Sequence, residues 1–154
     1  MTHFERIRDS FTITTDPRRI DLDALHAYLH RSYWALGIPR ATVERAIQNS
    51  LCFVLLEGNR QIGFARVVSD RATFAYLCDV YVLEEQRGKG LGKWLIEQLL
   101  SHPELQGLRN FLLRTRDAHG LYANFGWCAP ANPNSYMEIS RPGMYAAAKT
   151  VNER

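Results

Sequence analysis

Residues 86–93 read Gln-Arg-Gly-Lys-Gly-Leu-Gly-Lys (QRGKGLGK), with glycines at alternate positions and cations among them. The stretch follows the apolar run YLCDVYVL (76–83). It precedes a helical pattern in which Leu91, Trp94, Leu95 and Leu99 share one face. It therefore joins a strand to a helix. Glycine accepts positive φ and lets a ligand come close to the backbone. A helix N-terminus offers free N–H groups and the positive end of a dipole. Together these read as a phosphate site, to which Arg87, Lys89 and Lys93 add full charges. Two common phosphate loops do not fit. GxxxxGK[ST] fails because Trp94 follows Lys93, and GxGxxG fails because the spacing here is GxGxG.

Working outward, 73–83 reads as a long strand, reached from a strand at 61–69 through the turn Ser69-Asp70-Arg71. Gly58-Asn59 connects that strand to 51–57, LCFVLLE, a continuous apolar run suited to burial on both faces. The pair reads as a hairpin. Two helices come before it. Leu22, Leu25, Leu29 and Tyr33 recur at helical spacing behind an Asp21 N-cap, and Val43, Ala46 and Ile47 follow the break at Gly37 and Pro39. FTITT, 11–15, alternates as a short strand. Downstream, His102-Pro103 ends the loop's helix, and NFLLRT, 110–115, reads as a strand. Asp117 is placed to cap a short helix over 118–125 that Gly126 closes. APANPN, 129–134, is loop, and SYMEIS, 135–140, reads as a last strand. The order β-αα-βββ-α-β-α-β predicts an α/β (α+β) fold, a mixed sheet with helices on both faces.

The chain has 154 residues, enough for one domain over 1–154, with about 145–154 as a C-terminal tail. A hydrophobic share of 46% and a charged share of 23% are ordinary for a globular protein. The net charge of +3 favours anionic ligands weakly and is too small to argue for nucleic acid. No apolar run approaches the roughly 20 residues of a membrane span, and MTHFERIRDSF lacks the apolar core of a signal peptide. Cys52, Cys78 and Cys128 sit in or beside apolar runs without CxxC or Cys/His spacing. They read as buried small hydrophobes in a reducing cytoplasm, and no metal is expected.

The segment VLEEQRGKGLG (82–92), with Arg87 to Gly92 spelling R-x-x-G-x-G, resembles motif A of the GCN5-related N-acetyltransferases. A second match lies one helix and one strand later, where LYANFGW (121–127) is similar to the family's LYxxxGF segment. The resemblance implies a mostly antiparallel central sheet of six or seven strands, about four helices on both faces, and strands four and five splayed around the cofactor. It also implies acetyl-CoA as co-substrate and an amine acceptor, a small molecule or a peptide. The backbone from Arg87 through Gly88, Lys89, Gly90, Leu91 and Gly92 to Lys93 would hold the CoA pyrophosphate. Tyr81 and Val82 would meet the acetyl carbonyl and the pantetheine arm, where an N–H stabilises the developing oxyanion. Tyr122 matches the family tyrosine that protonates the departing thiolate, a reasonable task for a phenol of pKa about 10. A core-facing aromatic is the other reading of Tyr122. Homodimers are common in the family.

The chain departs from the family pattern at three positions. Glu84 replaces the usual proline, Trp127 replaces the phenylalanine of GF, and Thr115 stands where many members carry Asn, with Asp117 and His119 nearby. Asp79 interrupts the apolar strand, on the face of Leu77 and Tyr81 by period 2. A carboxylate there must be paired or protonated. It reads as a general base, as an amine anchor, or as one half of a structural ion pair with Arg66 or Arg114. Tyr33 and Trp34, in the connection between the first helices, and His119 are candidates for the acceptor pocket. A CoA-binding sensor without turnover is the alternative to an enzyme.

Overall fold

The computed structural model describes residues 2–146; most of the expected C-terminal tail lies outside the described residues. In chain order the elements are β1 (Glu5–Arg8), β2 (Phe11–Thr14), α1 (Leu22–Arg31), α2 (Arg40–Gln48), β3 (Leu51–Glu57) and β4 (Arg60–Ser69). They continue with β5 (Phe74–Val82), α3 (Leu91–Leu100), β6 (Asn110–Leu113) and α4 (His119–Ala123). The six strands form one sheet in sequence order. Every neighbouring pair is antiparallel except β5 and β6, which are parallel because α3 crosses between them.

Both faces of the sheet are covered. On one side Phe53, Leu55, Val67 and Leu77 pack against Leu95 and Leu99 of α3 and against Tyr122 of α4. On the other, Val54, Leu56 and Phe64 pack against Leu25 and Leu29 of α1 and Val43 of α2. This explains the unbroken apolar run of β3, whose alternate residues feed two cores. α1 starts where expected, with Asp21 accepting from the Ala24 amide at 3.0 Å.

β1 was not foreseen: its residues, ERIR, are exposed on both faces, so no apolar pattern announces them, and the hairpin to β2 turns at Asp9 with φ 55°. The SYMEIS segment is not a strand. Residues 133–135 make a 3₁₀ turn, and among the described residues 136–140 pair with no strand, leaving Met137 97% and Ile139 86% exposed. Alternation reports a capacity to pair, and it cannot supply a partner. Asp117 does not cap α4; Thr115 Oγ1 accepts the Ala118 amide at 3.0 Å instead.

β5 carries the feature that opens the site. Its register to β4 jumps from Phe64↔Tyr81 to Arg66↔Cys78, so Asp79 and Val80 together face Ala65 in a β-bulge. Asp79 takes φ 53° there. The extra residue reverses the alternation, and Leu77 and Tyr81 end in opposite cores. The expected common face of Leu77, Asp79 and Tyr81 is thereby corrected. On its other edge β5 pairs with β6 only from Phe74↔Asn110 to Leu77↔Leu113. Beyond that point the two strands separate, as expected of the fourth and fifth strands read from sequence.

Candidate active site

A cleft of roughly 1810 Å³ fills the gap between β5 and β6. It reaches from the start of α3 to the connection between α1 and α2, and residues 140–145 line it as well. Its floor at one end is the glycine loop. Gly88 and Gly90 adopt φ 82° and 75°, and Gly90 is the N-cap of α3. The Arg87 amide donates to Glu84 O at 3.2 Å, and the Trp94 amide to Gly90 O at 3.1 Å. Among the described residues the amides between them, from Gly88 to Lys93, donate to no backbone carbonyl. Successive free amides with alternating backbone sign at a helix N-terminus make an anion-binding nest. The turn before the loop uses Arg87's own N–H, so the run of free amides starts at Gly88. Of the cations, Arg87 and Lys93 line the cleft. Lys89 does not; its Nζ donates to Gln86 Oε1 at 2.8 Å. Arg87 is held by Nε to Val82 O at 3.2 Å and Nη2 to the Tyr28 hydroxyl at 3.4 Å.

The free edge of β5 lies beside this nest. The Leu83 amide donates to Ile62 O at 2.8 Å, toward β4. Strand alternation turns the Val82 N–H the other way, into the gap. On Tyr81 the same alternation turns the N–H and C=O toward β4, where Phe64 is its partner. The Tyr81 ring is buried and stacked on Tyr28 at 3.8 Å, and its hydroxyl accepts from Gln61 Nε2 at 2.9 Å.

Tyr122 stands on α4, 8% exposed, its ring edge-on to Trp127 at 5.6 Å. Among the described residues no protein group hydrogen-bonds its hydroxyl, although the residue lines the cleft. Burial, with a smaller push from the Tyr33 phenol, raises its pKa to about 12. Trp127 Nε1 is bonded to Phe111 O at 2.8 Å, which locks the aromatic support behind it. Cys78 also lines the cleft. Burial raises its thiol to about 12, above all other influences, so it is no thiolate nucleophile at neutral pH.

At the far end, Asp79 Oδ2 accepts from Arg66 Nε at 2.7 Å and Oδ1 from Trp34 Nε1 at 2.9 Å. Arg66 is thus the ion-pair partner; Arg114 pairs with Glu138 at 3.0 Å instead. Trp34 stands edge-on to Tyr33 at 5.1 Å, and the Arg116 guanidinium lies 3.8 Å from the centroid of the Tyr33 ring. Tyr33 and Trp34 both line the cleft, whereas His119 is exposed on α4 and outside the lining. The sequence carries no signal that singles out Tyr28 or Arg116. Tyr28 is one more aromatic on an amphipathic helix, and Arg116 carries no local signal beyond its place after β6.

The sequence profile described as the acetyltransferase (GNAT) family matches residues 16–127. The chain belongs to that family. A Gibberella zeae protein named as a candidate acetyltransferase is 32% identical over 138 residues, 75% of this chain and 77% of its own length. A solved GNAT-family structure from Xanthomonas campestris is 50% identical with a TM-score of 0.87, covering 88% of this chain and 96% of that one. Glucosamine-6-phosphate N-acetyltransferase of Arabidopsis thaliana shares the GNAT fold at 18% identity and a TM-score of 0.59, covering 85% and 97%. GNAT enzymes use acetyl-CoA as co-substrate and act on amine acceptors. The chain is accordingly an acyltransferase by family. Among the described residues no helix is long and apolar enough to cross a membrane.

Proposed function

We propose that this protein is an acetyl-CoA-dependent N-acetyltransferase that moves the acetyl group directly to a primary amine in a ternary complex. The nest of free amides from Gly88 to Lys93, opening onto the unpaired edge of β5, carries this reading. It suits the CoA pyrophosphate by charge and by close backbone approach. The Val82 N–H is aimed to stabilise charge on the thioester oxygen as the amine attacks. Tyr122 then donates its proton to the departing thiolate, and the proton that the nitrogen sheds on becoming an amide restores the phenol; a pKa of about 12 keeps the phenol protonated until that moment. The raised Cys78 thiol supports direct transfer over an acetyl-cysteine route. Asp79, with both oxygens already engaged, serves as the fixed negative end of the acceptor pocket. It orients Trp34 and attracts the incoming ammonium, which loses its proton to water before attack.

The domain is read as one acetyltransferase unit working in a reducing cytoplasm, with no nucleic acid or membrane partner. The test is release of free CoA thiol from acetyl-CoA across a panel of primary amines. Acetyl-CoA binding without release for any amine would favour a CoA-sensing module instead.

A further inference from the structure

The acceptor end of the cleft has a charge order that the acetyl transfer itself does not require. Asp79 stands at one end of a strip made of Trp34 and Tyr33, and Arg116 lies on the other end, against the Tyr33 ring. Asp79 is matched by Arg66, but among the described residues Arg116 pairs with no carboxylate. Its guanidinium faces the cleft, stacked on an aromatic plane that fixes its direction, and among the described residues its hydrogen-bonding fork is unused. It is also separate from the cations at the α3 end, where Arg87 and Lys93 adjoin the amide nest. Tyr33, in the middle of the strip, and Tyr122 line the same cleft, so the strip and the proposed proton donor share one space.

We propose that the acceptor is an amine carrying a second, anionic group, which Arg116 holds across an apolar spacer lying on Tyr33 and Trp34. Carboxylate and phosphate share the chemistry a guanidinium fork recognises. The inference rests on the acetyltransferase reading for its choice of ligand, but its test needs no turnover.

The protein is saturated with CoA and titrated calorimetrically with three probes of matched length: pentylamine, 5-aminopentanoate and 3-aminopropyl phosphate. One or both anionic probes bind about tenfold or more tightly than pentylamine, and whichever is tighter identifies the head group. Arg116→Gln brings the ratio toward one, and Arg116→Lys keeps part of it. Equal binding of all three, or a preference for pentylamine, overturns the proposal, as does a preference that survives Arg116→Gln in a variant with unchanged melting. Thiol release from acetyl-CoA is followed separately. Selective binding without release would refute the acetyltransferase reading while leaving the anionic acceptor in place.

Discussion

Arg66 on β4 reaches across the β5 bulge to Asp79, Nε to Oδ2 at 2.7 Å, with side chains only 19% and 11% exposed. The pair fixes the bulge and so the point where β5 leaves β6. Asp79→Asn keeps the shape and tolerates φ 53°, but it leaves Arg66 without a counter-charge. Partial burial makes the expected loss about 2–3 kcal/mol, below the cost for a fully buried pair. Urea denaturation measures it. A loss under about 0.5 kcal/mol would class the pair with solvated surface bridges.

Tyr122→Phe removes a hydroxyl that bonds to no protein group among the described residues. Stability should therefore hardly change. Turnover should fall about 10²-fold or more, the ordinary contribution of a positioned proton donor, with acetyl-CoA affinity retained. Steady-state rates beside equilibrium binding separate the two, and full activity across the pH range would remove Tyr122 from the chemistry.

Burial raises Tyr122 and Tyr81 from the ordinary 10 to about 12, and Cys52 and Cys78 from 9 to about 12. A group whose folded pKa lies above its unfolded value leaves stability intact below the unfolded value. That stability is lost as pH climbs toward the folded one. Melting temperature should be level to about pH 9, then fall steadily toward pH 12, and Tyr122→Phe should soften the fall. A flat profile to pH 11 would contradict these burial shifts. Cys128 is exposed, against the burial its sequence neighbourhood suggests, and at pH 8 it alone should react quickly with a disulfide reagent.

The glycines of the loop divide by purpose. Gly88 and Gly90 need positive φ, so alanine at either costs about 1–2 kcal/mol. Gly92 is helical, and an added Cβ would meet only Val82 Cγ2, at 4.0 Å. Among the described residues nothing requires glycine there, which leaves the approach of a ligand. Gly92→Ala should hold or slightly raise stability, by up to about 1 kcal/mol, while weakening acetyl-CoA binding. Unweakened binding would mean that the ligand does not lie against this turn.

Much of this architecture was legible because its signals are local. The glycine loop, the Asp21 cap and the doubly apolar β3 each declare their structure within a few residues. The readings that failed depend on partners. β1 is a polar ribbon stabilised by pairing with β2, and 136–140 has an alternating pattern with no strand beside it. Asp79 stands out in sequence as a carboxylate in an apolar strand, but period 2 gives the wrong face because a bulge resets the alternation at that very residue. Trp34 as its donor, and Arg116 over Tyr33, join segments distant in sequence that only the folded sheet brings together.

The central claim is that the amides from Gly88 to Lys93 receive the CoA pyrophosphate. Nitrogen-15 amide spectra of the protein titrated with acetyl-CoA test it most directly. The account predicts the largest downfield proton shifts at Gly88, Gly90, Gly92 and their neighbours, with Val82 responding on the facing strand edge. Saturable binding that leaves these amides unmoved, with the large shifts elsewhere, would contradict it.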